Sequence, residues 1–328
     1  MFKIENIVER AKKKQKILVF PEVSFSDKVF EAVKILQKKK IAKILLVGDA
    51  CALVLRDKKF SEFEIVNPAN FSDKDKLVKF IYDKKKSDGI TIEQAEDLEK
   101  DVYYFSSALV ACGYADAMIA GENCTIDKVL EPALKIVKEK NKKEKISSST
   151  LLCGKNRFLG GKALLLSDCE INARPNADEL CVIASQTLET AKLLGVGEKV
   201  AFLSNSTHGS AKSGDIDVVK NAFDKFSKKE KDVVCDGELQ FETALDKTSC
   251  NLKAKDSVLQ GDADVLIFPD AQSGNIASQA MRFVGGLTAI GVIVQGLSKP
   301  VNIISKTCSV EELVALGAIT VLQCEDEK

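Results

Sequence analysis

Histidine and arginine are scarce in this sequence. His208 is the only histidine, so a serine–histidine–aspartate triad could form only through that residue. The arginines are Arg10, Arg56, Arg157, Arg174 and Arg282, and lysines supply the rest of the positive charge. Arginine holds phosphate with a rigid two-pronged group, whereas lysine offers a mobile point charge. A phosphate site in this chain must therefore depend largely on lysine and on neutral donors.

The cysteines form no C-x-x-C pair, although the chain has 10 of them. Several lie in apolar runs, which indicates buried thiols in a reducing compartment rather than a zinc or disulfide framework. The N-terminus lacks the apolar core of a signal peptide, and the longest apolar stretch, around residues 290–294, is too short to span a bilayer. These features predict a cytoplasmic protein without a membrane partner.

Basic and acidic residues balance at 48 each, so no global field would attract nucleic acid. Nucleotide-binding signatures are also missing, since neither a P-loop nor a G-x-G-x-x-G follows any predicted strand. The acids Asp236, Glu238 and Glu242 lack the spacing of a cation site and are better explained as an acidic helix start. We therefore expect no metal, and a nicotinamide-dependent dehydrogenase is disfavoured.

Apolar strands alternate with helical segments in the first half of the chain. Residues 16–20, 43–48 and 116–121 are apolar runs without polar alternation, and the segment after residue 26 carries an apolar helical stripe. This pattern is typical of a parallel sheet covered by helices on both faces. The length of 328 residues favours two α/β domains, and the lysine-rich segment 135–145 is either a linker between them or a solvated helix end.

The second half returns to the same alternation after an interruption. Residues 147–172 contain two apolar runs around Gly160 and Gly161, which predicts a hairpin or an excursion from the sheet. A helix then begins at Asn176 with Glu179 completing a capping box. Strands are predicted at 200–204, 232–237, 264–270 and 289–296, so ligands should collect beyond the carboxyl ends of these strands.

The segment LSNSTHGSAKSGD, residues 203–215, joins a predicted strand to a predicted helix. Its hydroxyls, its free amides around a glycine and its lysine are suited to holding an anion, because the first N–H groups of a helix lack partners. The alternative is a helix cap with ordinary loop solvation. If the loop binds an anion, the candidate residues are Ser204, Ser206, Thr207, Gly209, Ser210 and Lys212.

Residues 299–313 carry the second candidate site. Ser309 followed by Glu312 fits a capping box at the start of the last helix, which is a sufficient structural reason for both residues. The functional alternative is that Glu312 is a general base, with Ser305 and Lys306 beside the reacting group. Spacing alone leaves both interpretations open.

Four ordered segments, LSNSTHGSAK (203–212), DGELQ (236–240), FPDAQSGNIA (268–277) and QGLSKPVN (295–302), resemble the phosphate acetyltransferase and phosphate butyryltransferase family. The resemblance covers essentially the whole chain. It implies two doubly wound α/β domains of the isocitrate and isopropylmalate dehydrogenase type with an inter-domain cleft. The implied division is 1–144 plus 295–328 for the first domain and 145–294 for the second, and the implied assembly is a homodimer.

The resemblance also implies a reaction, acyl-CoA plus phosphate giving acyl phosphate plus CoA, by direct thiolate attack in a ternary complex. CoA or acyl-CoA is then a substrate, acetyl is the expected acyl group, and no tightly bound cofactor is needed. The implied catalytic residues are Ser305, Lys306 and Glu312. The implied substrate-binding residues are Lys85, Asn275 and Asn302 together with the loop residues at 204–212 named above.

Three positions depart from the family pattern in a way that concerns anions. Lys306 stands where the family carries an arginine, Lys85 stands where it carries another, and an Arg-Pro pair is replaced by Glu131 and Pro132. The loss of an arginine fork costs roughly 1.5–3 kcal/mol. Two hypotheses follow: an acyltransferase with altered efficiency, or a non-catalytic relative that binds CoA thioester or phosphate as a sensor or structural partner.

Overall fold

The computed structural model describes residues 2–138, 145–154 and 159–325. These residues fold into two compact units. The N-terminal unit comprises 4–138 and 297–325, and the central unit comprises 2–3, 145–154 and 159–296. Most of the predicted linker at 135–145 lies outside the described residues. Both units are α/β, which confirms the predicted fold class.

Strands and helices alternate along most of the chain. The strands are β1 (Ile17–Phe20), β2 (Lys43–Val47), β3 (Glu64–Val66), β4 (Ala117–Ala120), β5 (Ser147–Cys153), β6 (Leu164–Ser167), β7 (Val200–Leu203), β8 (Cys235–Leu239), β9 (Val265–Ile267), β10 (Thr288–Gln295) and β11 (Val301–Ile303). The α-helices are α1 (Ile4–Ala11), α2 (Asp27–Lys38), α3 (Ala50–Arg56), α4 (Lys74–Lys85), α5 (Ile92–Lys100), α6 (Val102–Cys112), α7 (Ile126–Pro132), α8 (Ala177–Leu194), α9 (Gly214–Lys229), α10 (Phe241–Leu245), α11 (Lys247–Lys253), α12 (Ala271–Phe283) and α13 (Val310–Gln323). No helix in the described ranges has the length and apolarity needed to cross a bilayer.

The sheet of the N-terminal unit has five parallel strands in the order β11-β4-β1-β2-β3. Leu18, Val19 and Phe20 of β1 are fully buried, as expected for a strand covered on both faces. The strands predicted at 16–20, 43–48 and 116–121 are confirmed as β1, β2 and β4. Because all five strands are parallel, the loops that follow them lie at one edge of the sheet, where α/β folds place their ligands.

The sheet of the central unit has six strands in the order β10-β5-β6-β9-β7-β8. Strand β5 runs antiparallel to both β10 and β6, and the remaining pairs are parallel. Of the two predicted alternatives, the antiparallel β5–β6 pair confirms the hairpin, since both strands belong to the sheet. The strand predicted at 232–237 is displaced and lies at Cys235–Leu239. This corrects the interpretation of Asp236 and Glu238, which lie on a strand and not at a helix start.

Two predicted capping boxes are present. In α8 the Asn176 side chain accepts from the N–H of Glu179, and Glu179 accepts from the N–H of Asn176. In α13 Ser309 and Glu312 make the same reciprocal pair. Each box satisfies two backbone donors that the first turn of a helix leaves unpaired. The structural interpretation of Ser309 and Glu312 is therefore confirmed.

Glu99 of α5 is fully buried in the N-terminal unit, and neither carboxylate oxygen has a hydrogen-bond partner among the described residues. The Lys74 ammonium lies 3.8 Å from Oε2. Burial raises the pKa of Glu99, because the nearby charges of Lys74 and Lys100 only partly offset the loss of hydration. The ionised carboxylate therefore destabilises the folded unit.

We expect Glu99→Met to increase the free energy of unfolding at neutral pH by about 1–2 kcal/mol. A carboxyl whose pKa is raised by folding destabilises the native state above that pKa. The gain should therefore shrink as the pH falls towards the ordinary value of 4.5. Tyrosine fluorescence during urea unfolding measures the effect, since all 4 tyrosines belong to the N-terminal unit. The exposed Glu96→Met of the same helix is the control, and a stability difference independent of pH would refute the prediction.

Candidate active site

The loop after β11 carries two of the predicted catalytic residues. Ser305 is half-buried, Lys306 is exposed, and the Ser305 hydroxyl lies 3.3 Å from the hydroxyl of Thr307. The loop is held at both ends, because the Ile304 N–H donates to the Ala120 carbonyl at 2.7 Å and the Cys308 N–H donates to the Ser305 carbonyl at 2.9 Å. The structure therefore presents a hydroxyl and an ammonium together at the carboxyl edge of the N-terminal sheet.

Glu312 follows this loop in the first turn of α13. Its Oε2 accepts from the Ser309 N–H at 2.8 Å, and the residue is 9% exposed. The capping role holds the carboxylate against the start of the helix that follows Ser305 and Lys306 in sequence. A second role for Glu312 as a base stays a prediction.

Asn302 of β11 is completely buried in the N-terminal unit. Its amide donates to the Thr320 hydroxyl at 2.7 Å and to Gln323 Oε1 at 2.6 Å, both in α13. A side chain used in this way joins strand to helix. Substrate binding by Asn302 stays a prediction.

Glu22, directly after β1, is the organising group of the same sheet edge and is 1% exposed. Its carboxylate accepts from the N–H groups of Gly121, Glu122 and Asn123 at 2.6, 2.8 and 3.0 Å. The Tyr103 hydroxyl donates a fourth bond at 2.9 Å. A carboxylate with this many donors is compensated for its burial and fixes the loop that follows β4.

The Lys85 ammonium at the end of α4 is buried and paired. It donates to the Tyr104 hydroxyl at 2.9 Å and lies 3.7 Å from the Glu131 carboxylate, which also accepts from Tyr104 at 2.9 Å. Burial and then the bond to Glu131 raise the pKa of Tyr104, so its hydroxyl remains a donor. Glu131 thus offsets the positive charge of Lys85, the residue predicted to bind an anion.

In the central unit, the serine-rich loop after β7 encloses a carboxylate of the protein itself. Glu238 Oε1 accepts from the Gly209 N–H at 2.7 Å and from the Ser206 hydroxyl at 2.8 Å. Ser210 accepts from the Thr207 N–H at 3.0 Å. The Thr207 hydroxyl accepts from the N–H of Gln240, also at 3.0 Å.

These contacts show that the loop binds a carboxylate of the protein, and substrate binding by Ser206, Thr207, Gly209 and Ser210 stays a prediction. Glu238 is 1% exposed and is held by two of the predicted donors, Ser206 and Gly209. Burial alone would raise the pKa of Glu238. The hydrogen bonds from Gly209 and Ser206 and the charge of Lys220 outweigh that effect and lower it. The loop is therefore built around an internal anion.

A cavity of about 720 Å³ lies beside this loop, entirely within the central unit. Its walls come from the ends of β7 and β9 and from the first turns of α9 and α12, and they mix apolar side chains with polar ones that include Asp215 and Asp270. Ser204 lines the cavity, whereas the other predicted loop residues do not. Arg174 is its cationic wall residue and has no ion pair or hydrogen bond to the part of the chain that the structure describes. The size is that of a typical small-molecule site.

Two further predicted residues of the central unit lie outside that cavity. The Asn275 amide donates to Glu170 Oε1 at 2.7 Å. Lys212 is exposed in the loop before α9. These observations do not test substrate binding by Asn275 or Lys212, which stays a prediction.

Sequence reasoning missed Glu22, although the rule that ligands and polar groups gather after parallel strands points to it. Glu22 follows the apolar run 16–20 after a single proline. Lys28 in the first turn of α2 was also missed, yet a cation at the positive end of a helix is unfavourable and so signals a specific partner.

Within the described ranges, no group of three His, Cys, Asp or Glu side chains could hold a metal ion.

Comparison with known proteins gives consistent matches along the chain. Residues 2–321 match the family described as phosphate acetyl/butaryl transferase. A phosphate acetyltransferase from Thermoanaerobacterium thermosaccharolyticum is 37% identical over 326 residues, which cover 98% of this chain and 99% of the relative.

Solved structures give the same picture. A phosphotransacetylase from Streptococcus pyogenes superposes with a TM-score of 0.90 at 33% identity and covers 98% of this chain and 99% of its own. A Salmonella typhimurium protein whose proposed activity is that of a 4-hydroxythreonine-4-phosphate dehydrogenase gives a TM-score of 0.52 at 12% identity, covering 94% of this chain and 100% of its own. The second likeness concerns the fold alone.

Proposed function

Because the chain belongs to the phosphate acetyl/butaryl transferase family, we propose that it transfers an acyl group between CoA and inorganic phosphate. Acetyl is the proposed acyl group, since the relatives that match nearly full length are phosphate acetyltransferases. The observation that carries the proposal is the presence of Ser305 and Lys306 side by side in the loop at the carboxyl edge of a parallel sheet.

The proposed chemistry is a direct displacement at the acyl carbonyl. The CoA thiolate attacks the carbonyl carbon of the acyl phosphate, a carbon–sulfur bond forms, the carbon–oxygen bond to phosphate breaks, and phosphate leaves. Ser305 donates a hydrogen bond to the carbonyl oxygen as it gains charge. Lys306 stabilises the phosphate oxygens, and Glu312 accepts the thiol proton.

The cavity of the central unit is the proposed site for part of the CoA molecule. The apolar part of its walls suits the hydrocarbon parts of pantetheine or the face of an adenine ring, and Arg174 suits a phosphate group. Ser204 in the wall and Lys212 beyond it are proposed substrate contacts, and Ser206, Thr207, Gly209 and Ser210 of the same loop stay in the proposal. Asn275 is a further proposed substrate contact. It lies outside the cavity, on helix α12, whose first turn forms one wall.

Glu131 is proposed to weaken anion binding at Lys85. Glu131→Gln keeps the size of the side chain and removes its charge, so Lys85 gains net positive potential. We expect the KM for the anionic substrates to fall about two- to fivefold, the effect of an exposed ion pair, since 62% of the Glu131 side chain is exposed. Initial rates at varied acetyl phosphate and CoA measure it, with Asp83→Asn as the control. A KM that stays constant or rises would exclude this role.

Nothing in the comparisons favours the alternative of a non-catalytic relative. Lys306 retains the positive charge at the proposed reacting centre. Glu131 forms an ion pair with Lys85, so its negative charge is balanced within the protein. We expect thioester formation when the protein, CoA and acetyl phosphate are mixed, with lower rates for propionyl and butyryl phosphate. No thioester above background with any of the three would refute the proposed function.

The proposal also covers the oligomeric state and the cellular location. We propose a homodimer, supported by the exposed apolar residues Phe283 and Val284 at the end of α12, which are 67% and 90% exposed. We also propose a cytoplasmic location, supported by the free state of all ten cysteines.

A further inference from the structure

Lys28 connects two loops at the carboxyl edge of the N-terminal sheet. Its ammonium lies 2.9 Å from Glu122 Oε2, in the loop after β4, and donates to the Lys306 carbonyl at 2.8 Å, in the loop after β11. Both partners are far away in sequence. One ammonium group therefore fixes the distance between the loop that Glu22 organises and the loop that carries Ser305.

Glu122, one of the two partners of Lys28, is itself held in place by the buried Glu22. Glu122 donates a hydrogen bond to Glu22 through its own N–H, and the side chains of Lys28 and Glu122 are only 21% and 15% exposed. A partly desolvated ion pair is screened less than a surface pair. The contacts thus run from the buried Glu22 through Glu122 and Lys28 to the backbone of Lys306.

The position of Lys28 opposes the helix dipole. It lies in the first turn of α2, where a positive charge is unfavourable. The Glu122 carboxylate offsets this cost. The helix itself does not explain a lysine at this position. The contacts with Glu122 and with the Lys306 carbonyl do.

We propose that Lys28 is a positioning residue that holds the Ser305–Lys306 loop in its reactive conformation. The catalytic consequence of this inference rests on the proposed function. The claim that Lys28 orders the loop is independent of that function. Lys28 touches no reacting atom in this proposal. It acts by fixing the carbonyl of Lys306, which limits how far the Ser305 hydroxyl and the Lys306 ammonium can move from the substrate.

The first test measures loop order without any substrate. Hydrogen–deuterium exchange of a peptide covering 304–309 should be faster in Lys28→Met than in the wild type, and Lys28→Arg should restore most of the protection. Lys34→Met, on the same helix and paired only within α2, is the matched control and should leave this peptide unchanged. Unchanged exchange in Lys28→Met would overturn the proposal.

The second test measures acetyl transfer by the same variants. Lys28→Met should lower kcat about tenfold with little change in KM, since a misplaced catalytic group costs rate more than binding. In a Lys306→Met background the same substitution should have a smaller effect, because the Lys306 ammonium is then absent and only the Ser305 hydroxyl remains to be positioned. A rise in KM alone, or full additivity with Lys306→Met, would contradict the positioning role. A wild type without acetyl transfer would refute the proposed function, while the exchange measurement would still decide whether Lys28 orders the loop.

Discussion

Lys306→Met is expected to lower the rate of acetyl transfer about 10- to 100-fold, the loss of one charge-assisted hydrogen bond worth ~1.5–3 kcal/mol. Methionine keeps much of the length of the side chain and removes its ammonium. The exposed position of Lys306 means that the fold should be unaffected. Steady-state thioester formation at saturating CoA and acetyl phosphate measures the loss.

Two matched variants decide whether the charge itself is responsible. Lys306→Arg keeps the charge and adds the planar fork, so it should match or exceed the wild-type rate. Lys38→Met removes an exposed lysine at the end of α2 and should leave the rate unchanged. If Lys306→Met retained the wild-type rate, the ammonium would have no part in the reaction.

Glu22→Gln is expected to lower the free energy of unfolding of the N-terminal unit by about 3–5 kcal/mol, because it leaves one buried and one part-buried donor facing an amide that is itself a donor. In the native protein the carboxylate accepts four hydrogen bonds, from the backbone of 121–123 and from Tyr103. The amide oxygen of glutamine can serve only one of the two pairs. Urea unfolding followed by tyrosine fluorescence measures the change.

The control for Glu22 is Glu31→Gln in α2. Glu31 pairs with Lys34, and 54% of its side chain is exposed, so its replacement should change stability by less than about 0.5 kcal/mol. A Glu22→Gln variant as stable as this control would mean that the loop after β4 does not depend on the buried carboxylate.

Local patterns in the sequence predicted much of the fold, because the energetics that set them are local. The apolar runs at 16–20 and 43–48 have no polar alternation and form buried parallel strands. The capping boxes need only two residues three apart, and both are present. Strands β3 and β11 were not predicted, since three residues carry too little periodicity and their pairing depends on neighbours far away in sequence.

The site was harder to predict because its key contacts are long-range. The donors of the 204–212 loop indicated an anion, and two of them donate to Glu238, which lies on the next strand. Glu131 alone suggested a charge reversal in an anion site, but only the structure shows that it faces Lys85 across a shared tyrosine. Sequence identified the chemical character of these residues and could not identify their partners.

Exchange of labelled phosphate into acetyl phosphate tests most directly the claim that this chain moves an acyl group straight from phosphate to CoA. Purified protein is incubated with acetyl phosphate and labelled inorganic phosphate, with and without CoA. Direct transfer predicts that label enters acetyl phosphate only when CoA is present, because the acyl group must first leave for the thiol. Label entering without CoA would show an acyl-enzyme intermediate, and no label under either condition would show that the chain is not an acyltransferase.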